Sequence, residues 1–227
     1  MKTIIIIFLM ASGICFSQSY KIEKMKGNVE AQIGTSENWV PVKSGDEIRS
    51  DAVLSTGKSS YVQIQTSGSK FMLDSYSALR VASIKKMSIN DLILALAMED
   101  MMNAPKKNEK INSQNTAVYG AEINGVKSPM VESDDLGIKK LNGAVQLAEN
   151  GFKESAVVVA KETFRKYPET KTMAKYRIYF ADILFNLGLN EDAYDEFKSI
   201  DSLNLKNDEK ADVKSKLDIL TKKLMSN

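Results

Sequence analysis

With 227 residues the chain has room for two modest domains, and 43% hydrophobic and 26% charged residues are ordinary for a globular protein. A formal net charge of +2 gives no global electrostatic case for nucleic acid or for an acidic partner. The chain has no His and a single Cys, Cys15, so imidazole general bases, Ser-His-Asp triads and His-ligated metals are excluded.

Residues 1–17 read as a cleavable signal peptide: Lys2 starts it, Ile4 to Met10 form the apolar stretch, and Cys15-Phe16-Ser17 supply the residues before the cut. The apolar stretch is too short for a permanent span. A lipoprotein reading through Cys15 fails on Ile14, where a small residue is needed. A chain beginning at Gln18 then has no Cys, which removes disulfides, Cys-ligated zinc and thiol chemistry. The expected location is periplasmic or secreted.

From Tyr20 the sequence alternates with a period of two. Tyr20 to Val29 reads as a first strand region bent at Gly27-Asn28; Val29, Ala31 and Ile33 then share one face, and Gly34-Thr35-Ser36 turns the chain. Pro41 suits a strand edge because it lacks a donor. Trp39, the only tryptophan, is expected as a core or lid residue of the β region, with a platform for a sugar ring or a partner as its functional alternative. Val62 and Ile64 alternate with Gln63 and Gln65, and Phe71 and Leu73 repeat the pattern.

Ser88 followed by Asp91 predicts a capped helix over 88–103, ended before Pro105. Ile89, Leu92, Ile93, Leu94, Leu96, Met98, Met101 and Met102 cover most of its circumference, so it is expected to be buried between the β and helical parts or in a partner's groove. A Cu(I) site built from the Met thioethers is the weaker reading; gap filling is the ordinary role of Met. Residues 105–114 read as a Lys-rich solvated loop, 116–123 as a returning strand, and 126–135 as a linker.

The turns of the first half fall in the order Gly45-Asp46, Thr56-Gly57, Gly68-Ser69 and Ser77-Ala78-Leu79, with a closing piece Asn115-Thr116-Ala117-Val118-Tyr119-Gly120-Ala121-Glu122. This order resembles the FecR-like domain of bacterial envelope proteins, although Tyr119-Gly120-Ala121 stands where that family has Arg-Gly-Thr. The resemblance implies an all-β sandwich or roll over 18–125, with the 88–103 helix inserted, in an envelope compartment.

Beyond Asp134 the period changes to about 3.6. Ile138, Leu141, Val145 and Ala148 share one helix face, which stops at Asn150-Gly151. A second helix carries Phe152, Ala156, Ala160 and Phe164 and ends at Pro168; a third carries Tyr176, Phe180, Ile183 and Leu184 and ends at Gly188. Asn190 is expected to cap a fourth, and Asp208 to start a fifth with Val213, Leu217, Leu220 and Leu224 as its stripe. Gly151-Phe152-Lys153-Glu154-Ser155-Ala156 repeats as Gly188-Leu189-Asn190-Glu191-Asp192-Ala193. The region 136–227 therefore resembles tetratricopeptide repeats, with a degenerate first unit in which Lys140 and Gly143-Ala144 occupy the usual signature positions.

The whole reads as a two-domain α+β protein. The first function expected is a non-catalytic exported scaffold holding a protein partner. Its candidate contacts are Trp39 together with Lys139, Asn142, Lys175, Tyr176 and Tyr179 from the first helix of each pair. A soluble FecR-like signalling adaptor and a cell-wall polysaccharide-binding module are the alternatives. No cofactor, metal, nucleic acid or catalytic pair is expected, because the abundant acids fall in turns and at helix starts.

Overall fold

The computed structural model describes residues 20–36, 38–66, 68–104 and 134–226. The predicted signal peptide, closing strand and most of the predicted linker lie outside them. The architecture is α+β: two four-stranded antiparallel sheets occupy the N-terminal part and six α-helices follow.

The strands are β1 (Tyr20–Lys26), β2 (Val29–Gln32), β3 (Val40–Pro41), β4 (Glu47–Ile48), β5 (Val53–Thr56), β6 (Tyr61–Gln65), β7 (Lys70–Leu73) and β8 (Ala78–Arg80). One sheet has the order β4-β1-β6-β7 and the other β3-β2-β5-β8. The alternation decides what is buried: Val62, Ile64, Phe71 and Leu73 are inside, while Lys70 and Met72 are exposed. Pro41 sits in β3, an edge strand, as its missing donor requires. Strand β2 ends one residue earlier than its apolar pattern suggests. Ile33 leaves the sheet at the Gly34 turn and is exposed.

Two local devices hold the sheets in register. Gly27 turns β1 into β2 with φ near 77°, and a Cβ there would run into the Ser60 side chain. Buried Thr56 donates to the Asp74 carbonyl at 2.5 Å and accepts from the Ser77 amide at 3.0 Å, which ties β5 to the loop ahead of β8. The pairing of β1 with β6 slips between Ile22 and Lys24. Glu23, at that slip, accepts from Gln63 at 2.9 Å and pairs with Lys70 at 2.5 Å.

The helices are α1 (Ile89–Asn103), α2 (Asp134–Glu149), α3 (Lys153–Lys166), α4 (Ala174–Asn186), α5 (Asn190–Ile200) and α6 (Asn207–Met225). Ser88 and Asp91 form a capping box at the start of α1, the pairing expected from their spacing. At α5 the expectation shifts by one residue. Leu189 is the N-cap, Asn190 is the first helical residue, and the chain enters through Gly188 at φ near 80°. Ala156 and Ala193, the small residues of the repeated phrase, are fully buried. Helix α6 seats Val213 and Leu220 against the stack, and its Lys216 pairs with Asp182 of α4.

Strands and helices share one contiguous core running from Tyr20 to Leu220. Helix α2 lies on β8 at backbone distance, because Gly143 has no Cβ to meet the Ala78 carbonyl oxygen. The Phe71 ring from the sheet meets Phe152 edge-on at 6.2 Å. This arrangement corrects the expectation for α1. The seat between strands and helices is taken by α2, so α1 leans on α3 along a narrow strip formed by Leu92, Leu96 and Glu99.

Candidate functional site

Most of the side chains expected to line a partner groove are engaged within the protein. The Lys139 ammonium lies 3.4 Å from Ser55 Oγ, 3.7 Å from the Asp135 carboxylate and 5.4 Å from the centre of the Tyr76 ring. Asn142 Nδ2 donates to the Tyr76 carbonyl at 2.7 Å, and its Oδ1 accepts from Tyr176 Oη at 2.6 Å. Tyr76 itself donates to Asp135. Gln146 extends the line: it accepts from the Asp74 amide and donates to Ser77 Oγ, both at 2.7 Å. Helix α2 is thus joined to the β part by a continuous polar seam beside the apolar contact. Burial pushes the Tyr176 phenol up.

The other candidates are placed differently. Lys175 is exposed, 6.0 Å from the Tyr176 ring. Tyr179 is half-buried, and burial together with the Glu149 carboxylate pushes its phenol up. Trp39 is half-buried just before β3 and outside the shared core. The structure brings Lys139, Asn142 and Tyr176 together around Tyr76, with Lys175 beside the Tyr176 ring.

The surface that invites a partner is the outer face of α1. Leu94 is 62% exposed, Met98 55%, Met101 77% and Met102 54%, with Ile89 and Ile93 beside them. Leu94, Met98 and Met101 follow a four-then-three spacing, so they stack along one stripe. A stripe of this kind on a folded surface marks an interaction site more often than a chance exposure. The helix is held rigidly behind it: Arg165 of α3 donates to buried Glu99 at 2.6 Å and again at 3.3 Å, a bidentate pair.

Acids gather beside the C-terminal half of this stripe. Burial pushes the Asp192 carboxyl up, opposed by Lys161 and reinforced by the charges of Asp100 and Asp195, so these carboxylates share one neighbourhood. Glu196 belongs to it as well. Burial works to raise that carboxyl, but Lys161 and Arg177 together hold it below its usual range, the latter at 2.8 Å. Lys161 is the cation common to Asp192 and Glu196, while Asp100 and Asp195 act on Asp192 alone.

The apolar circumference left two seats open, between the β and helical parts or in a partner's groove, and the exposed stripe removes the first of them. The signal that was present is Glu99, a lone acid facing the apolar strip with Leu92 and Leu96. Among the described residues no three His, Cys, Asp or Glu side chains gather to hold a metal, and no helix is long and apolar enough to cross a membrane. No protein-family model, no curated protein and no solved structure matches the chain.

Proposed function

We propose that this is an exported, non-catalytic binding protein of the bacterial cell envelope, which docks an amphipathic helix of a protein partner on the outer face of α1. The observation that carries the proposal is the Leu94/Met98/Met101 stripe, exposed on a helix whose opposite side is fixed to α3 by the Glu99–Arg165 pair. Export rests on the signal-like residues 1–17, and the envelope setting on the FecR-like order of turns in the first half. The tetratricopeptide-like repeat of Gly151 to Ala156 at Gly188 to Ala193 supports a holding role, since such stacks serve recognition.

Asp100 on α1, with Asp192 and Asp195 in its neighbourhood, favours a partner whose apolar helix face is flanked by Lys or Arg. Three Met side chains suit a surface that repacks around its partner. Covering Leu94, Met98 and Met101 removes apolar area worth about 1.5–3 kcal/mol per side chain, before the cost of association.

Two measurements test this. A photo-crosslinking residue at position 98 of the full chain, expressed in its own envelope, should capture a partner at a segment with an apolar stripe and basic flanks. In solution, a Leu/Lys amphipathic peptide should bind more tightly than its Leu/Glu counterpart, and Met98→Ser should weaken it. Crosslinks confined to a second copy of the chain or to lipid, or equal binding of both peptides, would overturn the proposal.

A further inference from the structure

A second surface, remote in chemistry from the α1 stripe, has the form of a small-ligand site. A cleft of about 470 Å³ opens between Thr66, Gly68 and Ser69, the start of β1, the 84–86 segment and the turn joining α2 to α3. This volume lies within the range of small-molecule sites. Its back wall is apolar, from Tyr20, Ile84 and Phe152, all nearly buried. Its rim is polar: Thr66, Ser69 and Asn150 bring hydroxyl and amide groups, and Lys70, Lys85 and Lys86 bring three ammonium groups. Among the described residues no carboxylate lines it.

The walls are fixed from outside. Buried Ser155 of α3 donates to the Lys85 carbonyl at 2.7 Å, which pins the segment carrying both lysines. The Thr66 amide donates to the Ser69 carbonyl at 2.9 Å, which fixes these two residues to each other. Asn150 donates to the Gln146 carbonyl at 2.8 Å, leaving its side-chain oxygen at the rim. Lys70 is paired with Glu23, and Lys85 lies in the field of Asp91, whereas Lys86 has no ion pair among the described residues. Positive charge is therefore in excess at one side of a cleft that also offers hydroxyl and amide partners.

We infer that this cleft binds a small hydroxylated anion, a sugar bearing a carboxylate or a phosphate. The ammonium groups of Lys85 and Lys86 take the anionic group. The Thr66 hydroxyl is used locally, donating to the Ser69 carbonyl at 2.9 Å and accepting from the Ser69 amide at 3.1 Å. The Ser69 hydroxyl oxygen and the amide of Asn150 therefore take sugar hydroxyls, and the apolar wall takes the C–H face of the ring.

Calorimetric titration of the full chain without residues 1–17 tests it, using glucuronate, glucose 6-phosphate, glucose and inorganic phosphate as separate probes. At least one anionic sugar should bind about tenfold more tightly than both glucose and inorganic phosphate. The Lys85→Gln/Lys86→Gln variant should lose about tenfold of that affinity, with its thermal unfolding unchanged. Lys43→Gln, at an exposed turn away from the cleft, should bind as the parent does. Three results would each overturn the inference: no saturable binding of either anionic sugar, inorganic phosphate bound as tightly as glucose 6-phosphate, or binding unchanged in the double variant. The α1 proposal stands or falls separately, since it involves none of these residues.

Discussion

Helix α1 is the more apolar of the first two helices, yet it is α2 that is seated in the core. Helix α2 buries Leu141, Ala144, Leu147 and Ala148 against strands and helices at once, and its polar residues Lys139, Asn142 and Gln146 find partners on the β part. Helix α1 buries Leu92 and Leu96, fastens itself through one ion pair, and leaves six large apolar side chains in solvent. The difference lies in what each can approach. Two glycines, Gly137 and Gly143, let α2 meet the Tyr167 side chain and the β8 backbone closely, whereas α1 has no Gly and touches mainly α3. A helix seated against two layers uses its polar groups internally. A helix seated against one keeps a face for something else.

The most damaging way to break the contrast is to lift α2 off the sheet. In Gly143→Val the new Cβ runs into the Ala78 carbonyl, a backbone atom that cannot swing aside. We expect a loss of about 3 kcal/mol or more, at the upper end for overpacking, read as a fall in the urea midpoint with the strand and helix signals lost together. Retention of the parent midpoint would mean that α2 and β8 are not in backbone contact.

Detaching α1 should cost less. Arg165→Met leaves Glu99 buried without its cation, and we expect a loss of about 2 kcal/mol, below the range for a fully buried pair because Arg165 is partly exposed. Adding Glu99→Leu should restore most of it, since the charge left behind is then gone. Equal losses in the single and double variants would show that packing, not the pair, holds α1.

Acid should loosen the contact of α5 with α3 and α4, where Glu196 pairs with Lys161 and Arg177. Glu196 carries the argument: burial opposes its charge, Lys161 and Arg177 favour it, and its folded value ends below the ordinary 4.5. A carboxyl lowered on folding contributes stability that is fully present above its unfolded value and is lost as pH falls through the folded one. Urea midpoints should therefore fall as pH drops through and below the ordinary carboxyl range, and Glu196→Gln should flatten that fall. An unchanged slope in the variant would remove Glu196 from the account.

How far the sequence could be read depended on the range of the forces involved. The limits of α1 were legible, because Ser88, Asp91 and the Pro105 beyond them act within one turn. The helices of the second half were legible for the same reason, down to the positive φ of Gly151 and Gly188. The inward faces of β6 and β7 followed from alternation alone. What could not be read was who meets whom. Asn142 looks like a groove residue until the Tyr76 carbonyl, 66 positions away in sequence, arrives opposite it. Gly143 looks like a worn repeat position until β8 is beneath it. The apolar circumference of α1 predicted its type but not which of two seats it takes, because that depends on which neighbour reaches the inner seat first.

The smallest expected effect on stability is also the sharpest test of that last point. Leu94→Ser and Met98→Ser remove apolar groups that already face water, so folding should change by no more than about 0.5 kcal/mol. Leu96→Ser, only two positions along the same helix, removes a buried group from the α3 contact and should cost about 2 kcal/mol or more. Binding to the basic amphipathic peptide should show the reverse order, with Leu94→Ser and Met98→Ser weakened most. Stability and binding would then be carried by opposite sides of one helix. If Leu94→Ser proved as destabilising as Leu96→Ser, the outer face of α1 would be part of the protein's own core, and the partner would have to be sought elsewhere.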